Sequence, residues 1–298
     1  MIDSFSEIDP SLVDIRFPEH TGYPDRFKEM DTRDVLKDAC GAASRDFPQA
    51  LWIEPKDWAD KARDNDKYHT WGMNYLDRFT NQNPTHECTC HSLRANVEAA
   101  RNRQRGIIFP DGPKKNFRYE QSKKGSVWLS PLSVYAEANP GKWGGANVQQ
   151  VLEIAVRRGM LPEKIQPRDD YGLKCQLQGT TGQGNNNQSS GDWVAVKNFP
   201  ANWQDTAKWF KPLEVIFPES YEQAVCLVLH GILVSVGRSG HAIPWAQWMP
   251  NEKAMAYPDS YDVVRYDSYG TVRSAWGGSF AVVSVTAPDD WDFPGGKQ

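Results

Sequence analysis

Among its 298 residues the chain carries five cysteines (Cys40, Cys88, Cys90, Cys175, Cys226) and six histidines that could do covalent chemistry near neutral pH. A cysteine becomes a nucleophile when its thiol loses its proton, an imidazole holds that proton, and donors await the developing oxyanion. A helix N-terminus favours the thiolate through its unpaired N–H groups and its dipole. Cys90 sits at such a start, after the polar, Pro-containing stretch 81–87. Leu93, Val97 and Ala100 follow at i, i+4 and i+7, one apolar stripe on a helix over 90–100. Placement alone does not make a nucleophile, because a free cysteine usually serves as a small buried hydrophobe. His86, Cys88, Cys90 and His91 could also be a metal cluster, but no second pair at zinc-ligand spacing follows. The Gly/Asn/Gln/Ser-rich stretch 179–191 looks like a phosphate loop only until its end, since no Gly-Lys-Ser/Thr follows.

The elements that would position these groups change character along the chain. Residues 1–48 are polar and broken by Pro10, Pro18, Pro24 and Pro48, and read as an extended arm with one short helix at 32–40. Helices are expected at 131–138, with Ser130 as N-cap and Pro131 in the first turn, and at 146–158, ending at Gly159. Residues 221–230 form a further helix, with His230 at its C-terminal end and Cys226 in its buried face. Short β-rich runs follow at 232–236, 242–245, 261–266 and 280–285. Helices first and strands later argue for an α+β protein of two subdomains, 49–165 helical and 166–298 β-rich.

Bulk properties narrow the function. A net charge of −4 without a basic run gives no electrostatic footprint for nucleic acid. No stretch approaches the ~18 apolar residues of a membrane helix, and the N-terminus lacks the basic and apolar regions of a signal peptide. An odd, sparse set of cysteines argues against a disulfide framework. A protein of a reducing compartment, cytoplasmic or virion-associated, is expected.

Several short segments resemble the papain-like cysteine peptidases, in the family's own order. Pro55-Lys56-Asp57-Trp58 is similar to the family's strand-like entry. Asn81-Gln82 matches the pair whose Gln helps form the oxyanion hole, and Cys90-His91-Ser92-Leu93 stands where the catalytic cysteine opens its helix. Leu129-Ser130-Pro131-Leu132 resembles the entry to the next helix. Lys142-Trp143-Gly144-Gly145 resembles the turn that binds substrate backbone, and Gly240-His241-Ala242-Ile243 the strand with the catalytic His. Asp267-Ser268-Tyr269-Gly270, backed by Trp276-Gly277, looks like the segment whose Asn orients that His. The resemblance spans 53 to about 286 and implies a papain-like two-subdomain fold with a β-barrel-like second half. It also implies Cys90 as nucleophile, His241 as base, Asp267 as its orienting partner and Gln82 as oxyanion donor. Gly144, Gly145 and Tyr269 would line the substrate site, and neither metal nor organic cofactor is required.

The departures bear on the assignment. Cys88, not Cys90, keeps the family's six-residue separation from Gln82. Choosing Cys90 puts Leu93 where the helix needs its first large apolar residue, whereas choosing Cys88 puts His91 there. Asp267 replaces Asn and Tyr269 replaces the shielding Trp. The family segment between the strand at 232–236 and His241 is missing, as is its helical pro-domain. The expectation is a cysteine endopeptidase acting on polypeptides. The rival is a degenerate relative kept as a structural or binding component, for example of a phage particle, docking an assembly partner through residues 1–48. A cell-wall amidase shares the Cys-then-His order but lacks the Gly-Gly and Asp-Ser-Tyr-Gly matches.

Overall fold

The computed structural model describes residues 43–44, 47–80, 82, 87–114, 126–138, 145–162, 199, 203–238, 240–261, 263–274 and 279–286. Most of the arm, the stretch 179–191, Cys40, His86, Gly144, Cys175, Trp276 and Gly277 lie outside the described residues. In chain order the helices are α1 (Trp58–Tyr68), α2 (Cys88–Gln104), α3 (Leu132–Ala138), α4 (Val148–Arg158), α5 (Trp203–Ala207), α6 (Tyr221–Leu229) and α7 (Tyr269–Ser274). The strands are β1 (Ala43–Ser44), β2 (Pro212–Ile216), β3 (Val234–Arg238), β4 (His241–Trp245), β5 (Gln247–Met249), β6 (Ala254–Asp259), β7 (Val263–Asp267) and β8 (Ala281–Val285). This is the α+β content expected. No described helix is long and apolar enough to cross a membrane.

The strands pair as a β1–β2–β8 sheet, a β3–β4 hairpin and a β5–β6–β7 meander. Among the described residues they close no barrel, so the barrel-like second half implied by the resemblance is a set of short sheets. A Ser235–Phe280 bridge ties the hairpin to the segment entering β8. Gly240 turns the chain between β3 and β4 at φ +77°, a left-handed conformation that favours glycine. All five residues of β4 are buried, so this hairpin delivers His241 into the interior, not onto the surface.

Two large apolar clusters share segments from both halves of the chain. In one, Leu93 and Val97 of α2 pack with Leu132, Val151, Leu152 and Ala155 from α3 and α4. Val215 of β2 and Val282 and Val285 of β8 join them. In the other, Trp58 and Ala62 of α1 pack with Val225 and Val228 of α6 and with Val236, Ile243, Trp245 and Tyr257 of the strands. The first helix thus serves the later strands, and later strands serve the earlier helices.

Helix α1 corrects the strand-like entry expected at Pro55–Trp58. Pro55–Asp57 forms a 3-10 turn that feeds α1 directly. Pro55 fits the first helical turn, and the following run of Ala, Lys, Arg and Asp contains no β-branched residue to favour a strand. Trp58 anchors the start by burying its ring and donating from Nε1 to Ile53 O at 2.9 Å. Helix α4 follows expectation. Asn147 caps it, its side chain accepting from the Gln149 and Gln150 N–H groups at 2.8 and 3.2 Å. It stops at Gly159, where φ is +86° and a Cβ would fall 1.8 Å from the Ala207 carbonyl oxygen.

Helix α2 is the element on which the site depends, and it is buried all round. Every residue from Cys88 through Asn102 is buried. Its polar side chains therefore find partners inside the protein. Arg94 Nη1 pairs with Glu98 Oε2 at 2.9 Å, and Glu98 Oε1 accepts from the Leu129 N–H at 2.6 Å. Asn96 Nδ2 donates to Ser235 Oγ at 2.9 Å and Asn102 Nδ2 to the Tyr75 carbonyl at 2.8 Å. A central helix so tied offers a rigid platform for whatever stands at its N-terminus.

Candidate active site

Helix α2 begins at Cys88, with Glu87 as N-cap. Cys88 is therefore the first helical residue, where orphan N–H groups and the macrodipole favour a thiolate. The side chains of Cys88 and Cys90 leave the helix about 200° apart, two steps of about 100° each, so only one of them can face a given neighbour. The one that faces His241 is Cys88, close enough to the imidazole to raise its pKa. Cys90 is fully buried in the apolar cluster around α3 and α4. Burial first, then the Glu87 carboxylate, push the Cys90 thiol well above its ordinary range, which keeps it protonated. The structure does not bring Cys90 to His241.

His241 opens β4, and its Nε2 lies 3.0 Å from Asp259 Oδ1. With Nε2 committed to Asp259, Nδ1 is the ring nitrogen left to serve the Cys88 sulfur. Burial opposes a charge on this imidazole, but the hydrogen bonds and negative charges of Asp259 and Cys88 outweigh it and push its pKa up to about 9. At neutral pH the ring is an imidazolium. Asp259 is completely buried and ends β6.

Asp267 stands elsewhere, and the sheet register gives the reason. β6 and β7 pair antiparallel with Asp259 opposite Val263 and Asp267 opposite Met255. Asp267 thus lies on the same face as Asp259 but four residues along, about 13 Å at roughly 3.3 Å per residue. Four residues along β4 from His241 is Trp245, and it is Trp245 Nε1 that donates to Asp267 Oδ2, at 2.8 Å. The hairpin carries two equivalent rungs, His241–Asp259 and Trp245–Asp267. Tyr269, in α7, is partly exposed with its ring 5.2 Å from that of Tyr221.

Residues 259–261 also organise Gln82. The Gln82 N–H donates to the Ser260 carbonyl at 2.8 Å, and the Gln82 Oε1 accepts from Ser260 Oγ. Gln82 Nε2 donates to the Tyr261 hydroxyl at 3.1 Å. Both ends of the amide are therefore oriented by the turn that follows Asp259. The Tyr261 ring lies 5.8 Å from the His241 ring at an interplanar angle of 31°, covering one side of the imidazole. Burial, with the negative charges of Cys88 and Asp259, raises the Tyr261 phenol to about 12, so its hydroxyl stays protonated. Asp259 also lines a small cavity bordered by Arg78, Thr80, His91, Arg94 and Ser260.

His91 lies one turn along α2 from Cys88 but belongs to a different set of contacts. Its Nδ1 is 2.8 Å from Thr80 Oγ1 and its Nε2 is 3.7 Å from Glu87 Oε1. Among the described residues no group of three His, Cys, Asp or Glu side chains could hold a metal ion. Gly145 is exposed at the approach to α4 and makes no described contact with the Cys88–His241 pair.

No family model and no curated relative matches the chain. Solved structures do. Xylellain, a cysteine protease from Xylella fastidiosa, aligns with a TM-score of 0.50 at 12% identity, over 70% of this chain and 83% of that one. The cysteine protease and lectin-like domains of Cwp84, a surface layer associated protein of Clostridium difficile, align with a TM-score of 0.44 at 15% identity, over 87% and 59%.

The fold is papain-like.

Within that papain-like fold, His241 and Gln82 stand with Cys88 and Asp259, whereas Cys90 and Asp267 stand apart from them. The missed carboxylate had a visible signal. Asp-Ser-Tyr occurs twice, at 259–261 and 267–269, and the glycine after the second copy drew attention to it. Pro258 hid the first copy, because a proline inside a run argues against a strand. Here it is accommodated within β6, one residue before Asp259.

Proposed function

We propose that the protein is a papain-like cysteine peptidase in which Cys88 is the nucleophile, His241 the proton carrier and Asp259 the carboxylate that orients it. The observation that carries this reading is the Cys88–His241–Asp259 chain at the N-terminus of the buried helix α2, with the imidazole held up to about 9. These roles replace those of Cys90, which packs in the apolar cluster, and of Asp267, which accepts from Trp245 Nε1.

The chemistry follows from the groups present. The Cys88 thiolate attacks a peptide carbonyl carbon and forms the C–S bond. Gln82 Nε2–H and the Cys88 backbone N–H are the donors for the oxyanion. The His241 imidazolium gives its proton to the departing amine as the C–N bond breaks. Neutral His241 then takes a proton from water, whose oxygen attacks the thioester carbonyl, and the C–S bond breaks to release the acid and restore the thiolate. Only side chains, backbone and water take part.

The test is hydrolysis of a pool of internally quenched peptides by the full chain and its Cys88→Ala, Cys90→Ala and His241→Ala variants. The proposal expects cleavage by the parent and Cys90→Ala proteins and none by the other two. Cleavage that survives Cys88→Ala would overturn it. A folded parent protein with no hydrolysis of any peptide would favour the structural or binding role instead.

A further inference from the structure

Asp259 is buried with both carboxylate oxygens engaged on different elements. Oδ1 meets His241 Nε2 from β4 at 3.0 Å, and Oδ2 lies 3.1 Å from Arg265 Nε of β7, an ion pair in which the N–H is not aligned as a hydrogen bond. The strand register makes the second contact a built feature. Arg265 is directly opposite Tyr257 on β6, two residues before Asp259, so it is the diagonal same-face neighbour of Asp259. Such diagonals span about 7–8 Å between Cα atoms, a distance a long side chain bridges and a short one does not. The Arg265 side chain is 22% exposed, so most of it is drawn in over the sheet. Its guanidinium centre also lies 5.9 Å from the Tyr261 ring centroid, and the same ring covers His241.

We propose that Arg265 is a positioning residue for the reacting imidazole: it holds the Asp259 carboxylate rotated so that Oδ1 stays aimed at His241 Nε2. This rests on reading Cys88, His241 and Asp259 as the reacting set. Its ion pair is with Asp259, so its action on the imidazole runs through that carboxylate. Other polar groups also stand around Asp259. Ser260 Oγ lies 3.5 Å from Oδ1, on the oxygen already serving the imidazole. Arg78, His91 and Arg94 border a small cavity that Asp259 also lines, and Arg94 is bonded to Glu98. A buried carboxylate held by a guanidinium on one oxygen stays in place, whereas one that loses that partner can turn. Once turned, it no longer supports the imidazolium, and the Cys88 thiolate loses its counter-ion.

The experiment compares Arg265→Gln and Arg265→Lys with the parent full-length chain. It measures peptide hydrolysis (kcat and KM separately), the pH profile of Cys88 alkylation by iodoacetamide, and thermal unfolding. For Arg265→Gln the expected result is a fall in kcat of about 10- to 100-fold, the range seen when outer-shell partners are removed. KM should stay within about twofold, because no substrate contact is lost. The low-pH edge of Cys88 alkylation should move upward by about one pH unit. Arg265→Lys keeps the charge and should restore the edge, though not the full kcat, because an ammonium lacks the planar fork. An Arg265→Gln protein that superimposes on the parent in both kcat and alkylation profile would overturn the inference. So would equal losses in both variants that track a lowered unfolding temperature, the signature of a purely structural role. If Arg265→Gln fails to fold, the Arg265→Lys profile decides alone: the parental edge with reduced kcat supports the role, and parental kcat refutes it. Cys88→Ala run in parallel separates the two failures. Hydrolysis surviving that change sinks the catalytic reading itself, while its loss beside an unaltered Arg265→Gln protein sinks only this inference.

Discussion

Replacing Asp259 with Asn perturbs the site without emptying it, because the amide keeps the shape and an oxygen that can accept from His241 Nε2–H. What it removes is the negative charge. His241 is held at about 9 against an ordinary value of 6.5, and burial works against that elevation. At about 1.4 kcal/mol per unit, the net preference for the imidazolium is on the order of 3 kcal/mol. An opposite charge at hydrogen-bond distance accounts for about one to three units, so Asp259→Asn should bring His241 down to roughly 7. His241 must be protonated to release the amine. The alkaline edge of kcat/KM for peptide hydrolysis should therefore fall from about 9 toward neutrality. The sign for stability is the same. A raised folded-state pKa stabilises the fold fully below 6.5, and that contribution is lost as pH rises through about 9. In the variant the loss comes at lower pH. The assay is the pH profile of hydrolysis together with an NMR titration of the His241 ring. Asp267→Asn is the control, since that carboxylate takes Trp245 Nε1 and should leave the edge near 9. An unmoved edge in Asp259→Asn, or one that moves in Asp267→Asn instead, would refute the reasoning.

Gln82→Ala should lower kcat by about 10²–10³-fold, the usual cost of an oxyanion donor. It should leave iodoacetamide alkylation of Cys88 near the parent rate, because that reaction develops no oxyanion; equal losses in both assays would place Gln82 in thiol activation instead. Trp245→Phe removes a buried donor from the buried Asp267 and should cost about 1–3 kcal/mol of unfolding free energy in a denaturant titration. Its hydrolysis pH profile should match the parent's, and a shifted alkaline edge would tie the Trp245–Asp267 rung to the chemistry.

Much of the fold was legible because several elements carry local signals that agree with their tertiary roles. Asn147 and Gly159 bracket α4 with a cap and a stop, and its apolar face is one-sided. The β4 strand with His241 and the helix near Cys90 were also readable. The nucleophile was harder for a physical reason. The preference for Cys90 assumed that α2 has a polar face and an apolar one, so that a histidine in the first apolar position would be costly. The helix is instead buried on every side, and His91 is accommodated inside with its Nδ1 against Thr80 Oγ1 and its Nε2 3.7 Å from the Glu87 carboxylate. Periodicity carries no register information when all faces are covered. The carboxylate was obscured differently. Which of two Asp-Ser-Tyr copies meets the imidazole depends on the β6–β7 register and on how β4 lies against it, and both are long-range pairings that no local pattern encodes. Helix α1 escaped because its buried face is only Trp58, Ala62 and Asn65 in a mostly charged run.

The central claim is that Cys88, not Cys90, is the thiolate paired with His241. The most direct measurement is to treat the full-length protein with a limiting amount of iodoacetamide at pH 5.5 to 6 and locate the adduct by peptide mass spectrometry, in the parent and in His241→Ala. The account predicts rapid alkylation confined to Cys88 and slowed at least tenfold by His241→Ala, with Cys90 untouched while the fold is intact. Adduct on Cys90, or alkylation of Cys88 at the same rate with and without His241, would contradict it.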